Sequence, residues 1–154
     1  MNKAANSGGT TPQALAERCA KALWSGDRAS EALGMQIVSV GEGQSDVSMM
    51  VRPDMANGHA LIHGGMVFTL ADSAFALACN SRNQQSFAMS CSIDFIRPAM
   101  VGDVLTARAR EQSHTRSSGF YEVTVTNQHD KVIAHFRGRS FTRGEPLTEG
   151  PQSA

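Results

Sequence analysis

Residues 64–80, GGMVFTLADSAFALACN, constrain this chain more than any other segment. Apart from Thr69, Asp72, Ser73 and the closing Asn80, every side chain there is apolar or small. No proline interrupts the run, and glycine occurs only at its start. A helix that is apolar on all faces has to be covered on all faces. Asp72 sits in its middle with no Lys or Arg one turn away. Burying a carboxylate costs several kcal/mol unless it is paired, hydrogen-bonded or protonated. Asp72 therefore has a polar partner from elsewhere, or it is held there for chemistry.

The run opens with His63-Gly64-Gly65. A helix start carries unpaired N–H groups and a partial positive charge, and glycine lets another molecule approach the backbone. Such an end suits a negative oxygen, including the oxyanion of an acyl-transfer intermediate. Gly65 and Asp72 share a helix face but stand seven residues apart, roughly 10 Å along the axis. Contacts to one carbonyl have to be near ~3 Å. The expectation is a shared site, with Gly64 or Gly65 of one subunit facing Asp72 of another across a two-fold dimer.

The rest of the chain reads as cover for this helix. Residues 1–12 are small, polar and Gly-rich and are expected to be disordered, as is the Pro-containing tail 144–154. Between them, residues 13–143 form one domain. An amphipathic helix is predicted over 12–24, with Leu15, Cys19 and Leu23 in its apolar set. Strands are predicted over 33–40, 45–51, 86–96, 103–112, 120–127 and 132–141, from alternation such as Val123 and Val125 between Glu122, Thr124 and Thr126. Residues 53–62 read as an irregular connection. Strands segregated from one long helix indicate an α+β domain: a curved antiparallel sheet wrapped around the helix at 64–80, with a second subunit closing the open side.

The formal net charge is zero, which gives no indication of a nucleic-acid partner. Residues 97–143 nevertheless carry eight basic side chains against four acidic ones, a local excess that suits a phosphate-bearing ligand or a solvated sheet face. Cys19, Cys79 and Cys91 lack metal or redox spacing, so a reduced, cytoplasmic protein is expected, with Cys79 as inert core. No secretory signal is visible, and residues 66–79 are too short to span a bilayer. His59 and His63 are four apart, but the glycines that follow argue against a metal pair, and no metal is expected. Asn57 before Gly58 reads as a turn, and Ser90 as a hydroxyl within an apolar strand.

Asn57-Gly58-His59, His63-Gly64-Gly65, the segment LADSAFA at 70–76 and ACNS at 78–81 resemble the hotdog-fold acyl-CoA thioesterases, most closely the PaaI type associated with phenylacetate degradation. SIDFIRP at 92–98, Gly102-Asp103 and Phe136-Arg137-Gly138 extend the likeness over about residues 30–142. HGG alone is a weak signal; HGG, an Asp nine residues after that His, and an IDFxRP strand together are specific. The resemblance implies hydrolysis of phenylacetyl-CoA or hydroxylated phenylacetyl-CoA-like thioesters, without cofactor or metal. It assigns Asp72 as general base or nucleophile and the Gly64 N–H as carbonyl polariser from the opposite subunit. Asn57 and His63 orient thioester or water, and Ser90 helps hold the water. Gly65, Arg97, Pro98, Arg116 and Gly119 are the candidate contacts to substrate and coenzyme. The resemblance further implies a homodimer with shared sites, assembled into a homotetramer. The rival functions are a non-catalytic acyl-CoA sensor and a hotdog 3-hydroxyacyl thioester dehydratase.

Overall fold

The structure, a computed structural model, describes residues 9–149; the disorder expected for 1–8 and 150–154 lies outside the described residues. Helix α1 (Pro12–Trp24) starts where Thr11 Oγ1 accepts the Ala14 N–H at 3.1 Å and Pro12 needs no N–H partner. Its apolar side buries Ala16, Cys19 and Ala20. A five-residue helix α2 (Arg28–Ala32) comes next, absent from the sequence reading because one turn of RASEA has no periodicity to detect. Asp27 caps it, accepting from the Ser30 N–H at 2.9 Å and the Ser30 hydroxyl at 2.6 Å.

Strands β1 (Gln36–Gly41), β2 (Gln44–Met50), β3 (Ser86–Phe95), β4 (Val104–His114), β5 (Ser118–Thr126) and β6 (Val132–Thr142) form one antiparallel sheet in the order β1-β2-β4-β5-β6-β3. The long helix α3 (Gly64–Cys79) lies across its concave face. The two-residue period of the strands turns Val47 and Met49, Leu105 and Ala107, Val123 and Val125, and Phe136 toward α3. Alanines at 71, 74 and 78 on the helix and at 107 and 109 on β4 are fully buried and let the two layers approach closely. Gly138 on β6 leaves room for the Phe75 ring; a Cβ there would meet that ring at 2.8 Å. Phe75 in turn packs edge-on against Tyr121 and tilted against Phe136.

Polar ties fix the C-terminal end of α3. Asn80 Nδ2 donates to the carbonyls of Ala76 and Ser86, and its Oδ1 accepts the Ser86 N–H, each at 2.9 Å, so the helix end is stitched to the start of β3. Arg82 then forks onto Glu111 of β4 at 2.6 and 3.0 Å, and the Tyr121 hydroxyl donates to the same carboxylate at 2.8 Å. No described helix is long and apolar enough to cross a membrane.

Candidate active site

Within one chain α3 keeps an open side, the side the sequence reading leaves for a second subunit. The sheet covers Val67, Leu70, Ala71, Ala74 and Ala78, whereas Gly65 is exposed and Phe68, Thr69, Asp72 and Ala76 on the same stripe are only half-buried. This stripe runs along the β3 side of the sheet, where Phe68 still packs edge-on against Phe136 at 5.3 Å. The α1–α2 segment adds cover on another side, with the Ser30 hydroxyl 2.9 Å from that of Ser73.

Asp72 sits on that stripe, in a cavity of about 350 Å³ walled by Phe75, Cys79, Ser86, Phe87 and Ala88, with Leu23 of α1 and Leu147 beyond β6. Its carboxylate has no hydrogen-bond partner among the described residues. Burial, and secondarily the charge of Asp27, push its pKa above the ordinary carboxylate value. Cys79 beside it is a closed thiol: burial first, then the charge of Asp72, push its pKa up to about 12, which excludes it as a thiolate nucleophile at neutral pH.

Gly64 opens a second cavity of about 290 Å³, bounded by Asn57, Val67, Phe95, Arg97, Pro98 and Ile133. His63 is the N-cap of α3, and its Nδ1 accepts the Gly65 N–H at 3.0 Å. That bond fixes the ring's neutral tautomer, with Nε2 as the N–H donor. It also removes the Gly65 N–H from the free donors and leaves that of Gly64 without an acceptor among the described residues. Phe95 lies over Gly64, where an added Cβ would come within 2.9 Å of its Cζ. Asn57 Oδ1 closes its own loop, accepting the N–H groups of His59 at 2.8 Å and Leu61 at 3.2 Å. Asn57 is thus a turn residue that also lines the Gly64 cavity, its side-chain amide N–H groups remaining available.

The two cavities share no lining residue. Within one protomer Asn57, His63, Gly64, Gly65, Arg97 and Pro98 gather at the start of α3, apart from Asp72. Ser90 joins neither group. Cys91 and Ile93 face the core, so strand parity turns Ser90 to the outer face, in a groove with Phe120, Arg137 and Arg139. Arg116 is exposed on the turn between β4 and β5 and lines neither cavity. Gly119 is buried, and a Cβ there would meet the Tyr121 ring at 2.7 Å; its role in one protomer is packing. Of the basic excess, Arg110 pairs with Asp46 at 2.7 Å and Arg108 donates to Thr126 at 2.7 Å. The Arg97 guanidinium donates to the Val132 carbonyl at 3.1 Å. Sequence reasoning missed Phe95 as a wall over Gly64 and missed Leu147 altogether; the IDFxRP match held a signal for Phe95, and nothing local marks Leu147.

The thioesterase superfamily profile matches residues 59–134. The acyl-coenzyme A thioesterase PaaI of Escherichia coli is 43% identical over 129 residues, 84% of this chain and 92% of that protein. This chain belongs to the thioesterase superfamily, with the PaaI-type hotdog enzymes. Among solved hotdog thioesterases, E. coli PaaI, from the phenylacetic acid degradation operon, superposes with a TM-score of 0.87 at 41% identity, covering 88% of this chain and 99% of that one. A Streptococcus mutans protein bound to acetyl CoA superposes at 0.70 with 28% identity, over 73% of this chain and 90% of that one. The antiparallel sheet around α3 is the hotdog fold.

Proposed function

We propose that this acyl-CoA thioesterase hydrolyses phenylacetyl-CoA or its ring-hydroxylated relatives, using Asp72 of one subunit and the Gly64 N–H of another. The observation that carries the shared site is the position of the two cavities along β3. This strand is one of the two edges of the sheet, opposite β1. Phe87 near its start lines the Asp72 cavity, and Phe95 at its end lines the Gly64 cavity. An edge strand of ten residues that leaves Phe87, Met89 and Phe95 exposed is a template for pairing. Antiparallel pairing of β3 with its copy about a two-fold axis near Cys91 sets Phe87 opposite Phe95 of the second copy. Each Asp72 cavity then abuts a Gly64 cavity, and the uncovered stripe of α3 gains its cover. Such dimers further associate into a homotetramer.

In this site the thioester carbonyl accepts the Gly64 N–H, and the oxyanion that forms on attack is stabilised there. The Asp72 carboxylate either takes a proton from the attacking water or attacks the carbonyl carbon itself, with water then cleaving the anhydride. The C–S bond breaks and the coenzyme leaves as thiolate, a leaving group good enough to need no strong general acid. His63 Nε2–H and the Asn57 amide orient the thioester and water. Arg97 and Pro98 at the cavity mouth receive the coenzyme, with Arg97 toward its phosphates. The substrate assignment draws on the E. coli relative's operon and on size: a cavity of ~150 Å³ holds benzene, and the Asp72 cavity of about 350 Å³ has mostly apolar walls.

Thiol release from phenylacetyl-, hydroxyphenylacetyl-, benzoyl-, short- and long-chain acyl-CoA, with wild type and Asp72→Asn, tests this reading. The expected result is preference for the phenylacetyl esters and a loss of about 10²–10⁴-fold in kcat for the variant. Equal turnover by Asp72→Asn contradicts the assignment of Asp72, and preference for long linear chains contradicts the substrate.

A further inference from the structure

The Asp72 cavity has one wall that belongs neither to the sheet nor to α3. Beyond β6 the chain turns back along the start of β3. The Gln85 N–H donates to the Glu145 carbonyl at 2.7 Å, and the Arg143 N–H to that of Gln85 at 2.9 Å. Asn83 then holds residues 147 and 148. Its Oδ1 accepts the N–H groups of Leu147 at 3.0 Å and Thr148 at 2.8 Å, and its Nδ2 donates to the Thr148 carbonyl at 3.1 Å. Asn83 sits at φ +58°, a left-handed backbone that Asn tolerates better than most residues. From α1, the Cys19 thiol lies 3.9 Å from the same Oδ1. One side chain thus gathers both ends of the described chain beside the cavity. Each end delivers a leucine to its wall, Leu23 from α1 and Leu147 from the C-terminal segment.

The bonds around Asn83 are more than a surface segment needs for solubility. Those to Leu147 and to the Thr148 backbone join main chain to amide, so they fix where residue 147 stands and are indifferent to what it is. The side chain at 147 is then free to set the depth of the cavity. The rear of the cavity cannot do this, because Phe75, Cys79 and Asn80 are buried and tied into the core.

We propose that Leu147, pinned in place by Asn83, is the wall that limits the size of the acyl group accepted beside Asp72. It admits compact aryl-acetyl groups and obstructs long linear chains. The proposal rests on Asp72 marking the reacting end of the cavity. A segment outside the hotdog sheet then sets acyl preference, and it can change without disturbing the helix or the catalytic groups.

The test is the ratio of kcat/KM for octanoyl-CoA to that for acetyl-CoA, which is independent of the fraction of folded enzyme. It is measured for wild type, Leu147→Ala, Leu147→Trp and Asn83→Ala, with Asp72→Asn alongside. A few methylenes of pocket space are worth about 10-fold or more. Leu147→Ala is expected to raise the ratio about 10-fold, Leu147→Trp to lower it, and Asn83→Ala to move it in the same direction as Leu147→Ala. A ratio within about 2-fold of wild type in both Leu147 variants overturns the proposal. Asp72→Asn separates the two claims: its unimpaired turnover removes Asp72 from the reaction, whereas a dead Asp72→Asn with unmoved Leu147 ratios removes the wall alone.

Discussion

In the proposed mechanism Asp72 has to ionise, in surroundings that favour its neutral form. Its folded-state pKa is raised, chiefly by burial and then by Asp27, above the ordinary carboxylate value of about 3.9. The folded protein therefore holds that proton more tightly than the unfolded chain. The resulting stabilisation is complete below the ordinary carboxylate value and is lost as pH rises through the raised one. Asp72→Asn is accordingly expected to melt at higher temperature than wild type at pH 7, with the gain disappearing in acid, as thermal melts across pH will report. In the wild type, the acid limb of kcat/KM is expected above the ordinary carboxylate range. Asp27→Asn, which keeps an N-cap for α2, is expected to move that limb to lower pH. At Gly64 the effects divide differently. An added Cβ meets the half-exposed Phe95 ring, which can swing aside. Gly64→Ala is expected to cost less than ~1 kcal/mol of stability. Gly64→Pro keeps a residue that suits the first helical position but deletes the N–H. It is expected to lose about 10²–10³-fold in kcat, the usual cost of one oxyanion donor.

Elements carry the precision of the site. The Arg82–Glu111–Tyr121 cluster pins the end of α3 to β4 and β5. Burial raises the Glu111 carboxyl, but Arg82 and the Tyr121 hydroxyl outweigh it, and the pKa is lowered. Glu111→Ala strands the guanidinium and the hydroxyl together and is expected to destabilise the fold by about 2–4 kcal/mol in denaturant titrations. Gly138→Ala drives a methyl into the buried Phe75 ring and is expected to cost about 1–3 kcal/mol. Most of these elements are legible in the sequence. All six strands are located, with period-2 alternation plain at Val47 and Met49 and at Val123 and Val125, and unbroken apolarity locates α3, because burial dictates both patterns. Strand ends differ by up to three residues, where pairing rather than pattern decides. The face on which Ser90 lies is not legible, because an apolar strand does not declare which parity faces the core; Cys91 and Ile93 decide it. Residues 145–149 look like a polar tail because their order comes from Asn83, more than sixty positions away. No local pattern encodes such a contact.

For the whole molecule, the proposed function makes a single chain an incomplete enzyme. Its long helix keeps a half-buried stripe, the β3 edge of its sheet is unpaired, and Asp72 and Gly64 open into separate cavities. Helix rise alone implies this last point, since seven or eight residues of α3 separate a carbonyl polariser from its carboxylate. The measurement that tests it most directly mixes two inactive variants, Asp72→Asn and Gly64→Pro, under conditions that exchange subunits, and follows thiol release from phenylacetyl-CoA. If sites are shared across a two-fold axis, each mixed dimer holds one intact site and one doubly defective site. Random exchange then restores about a quarter of wild-type activity. If Asp72 and Gly64 act within one subunit, no pairing of the variants rebuilds a site, and a mixture that stays as inactive as its components contradicts the account.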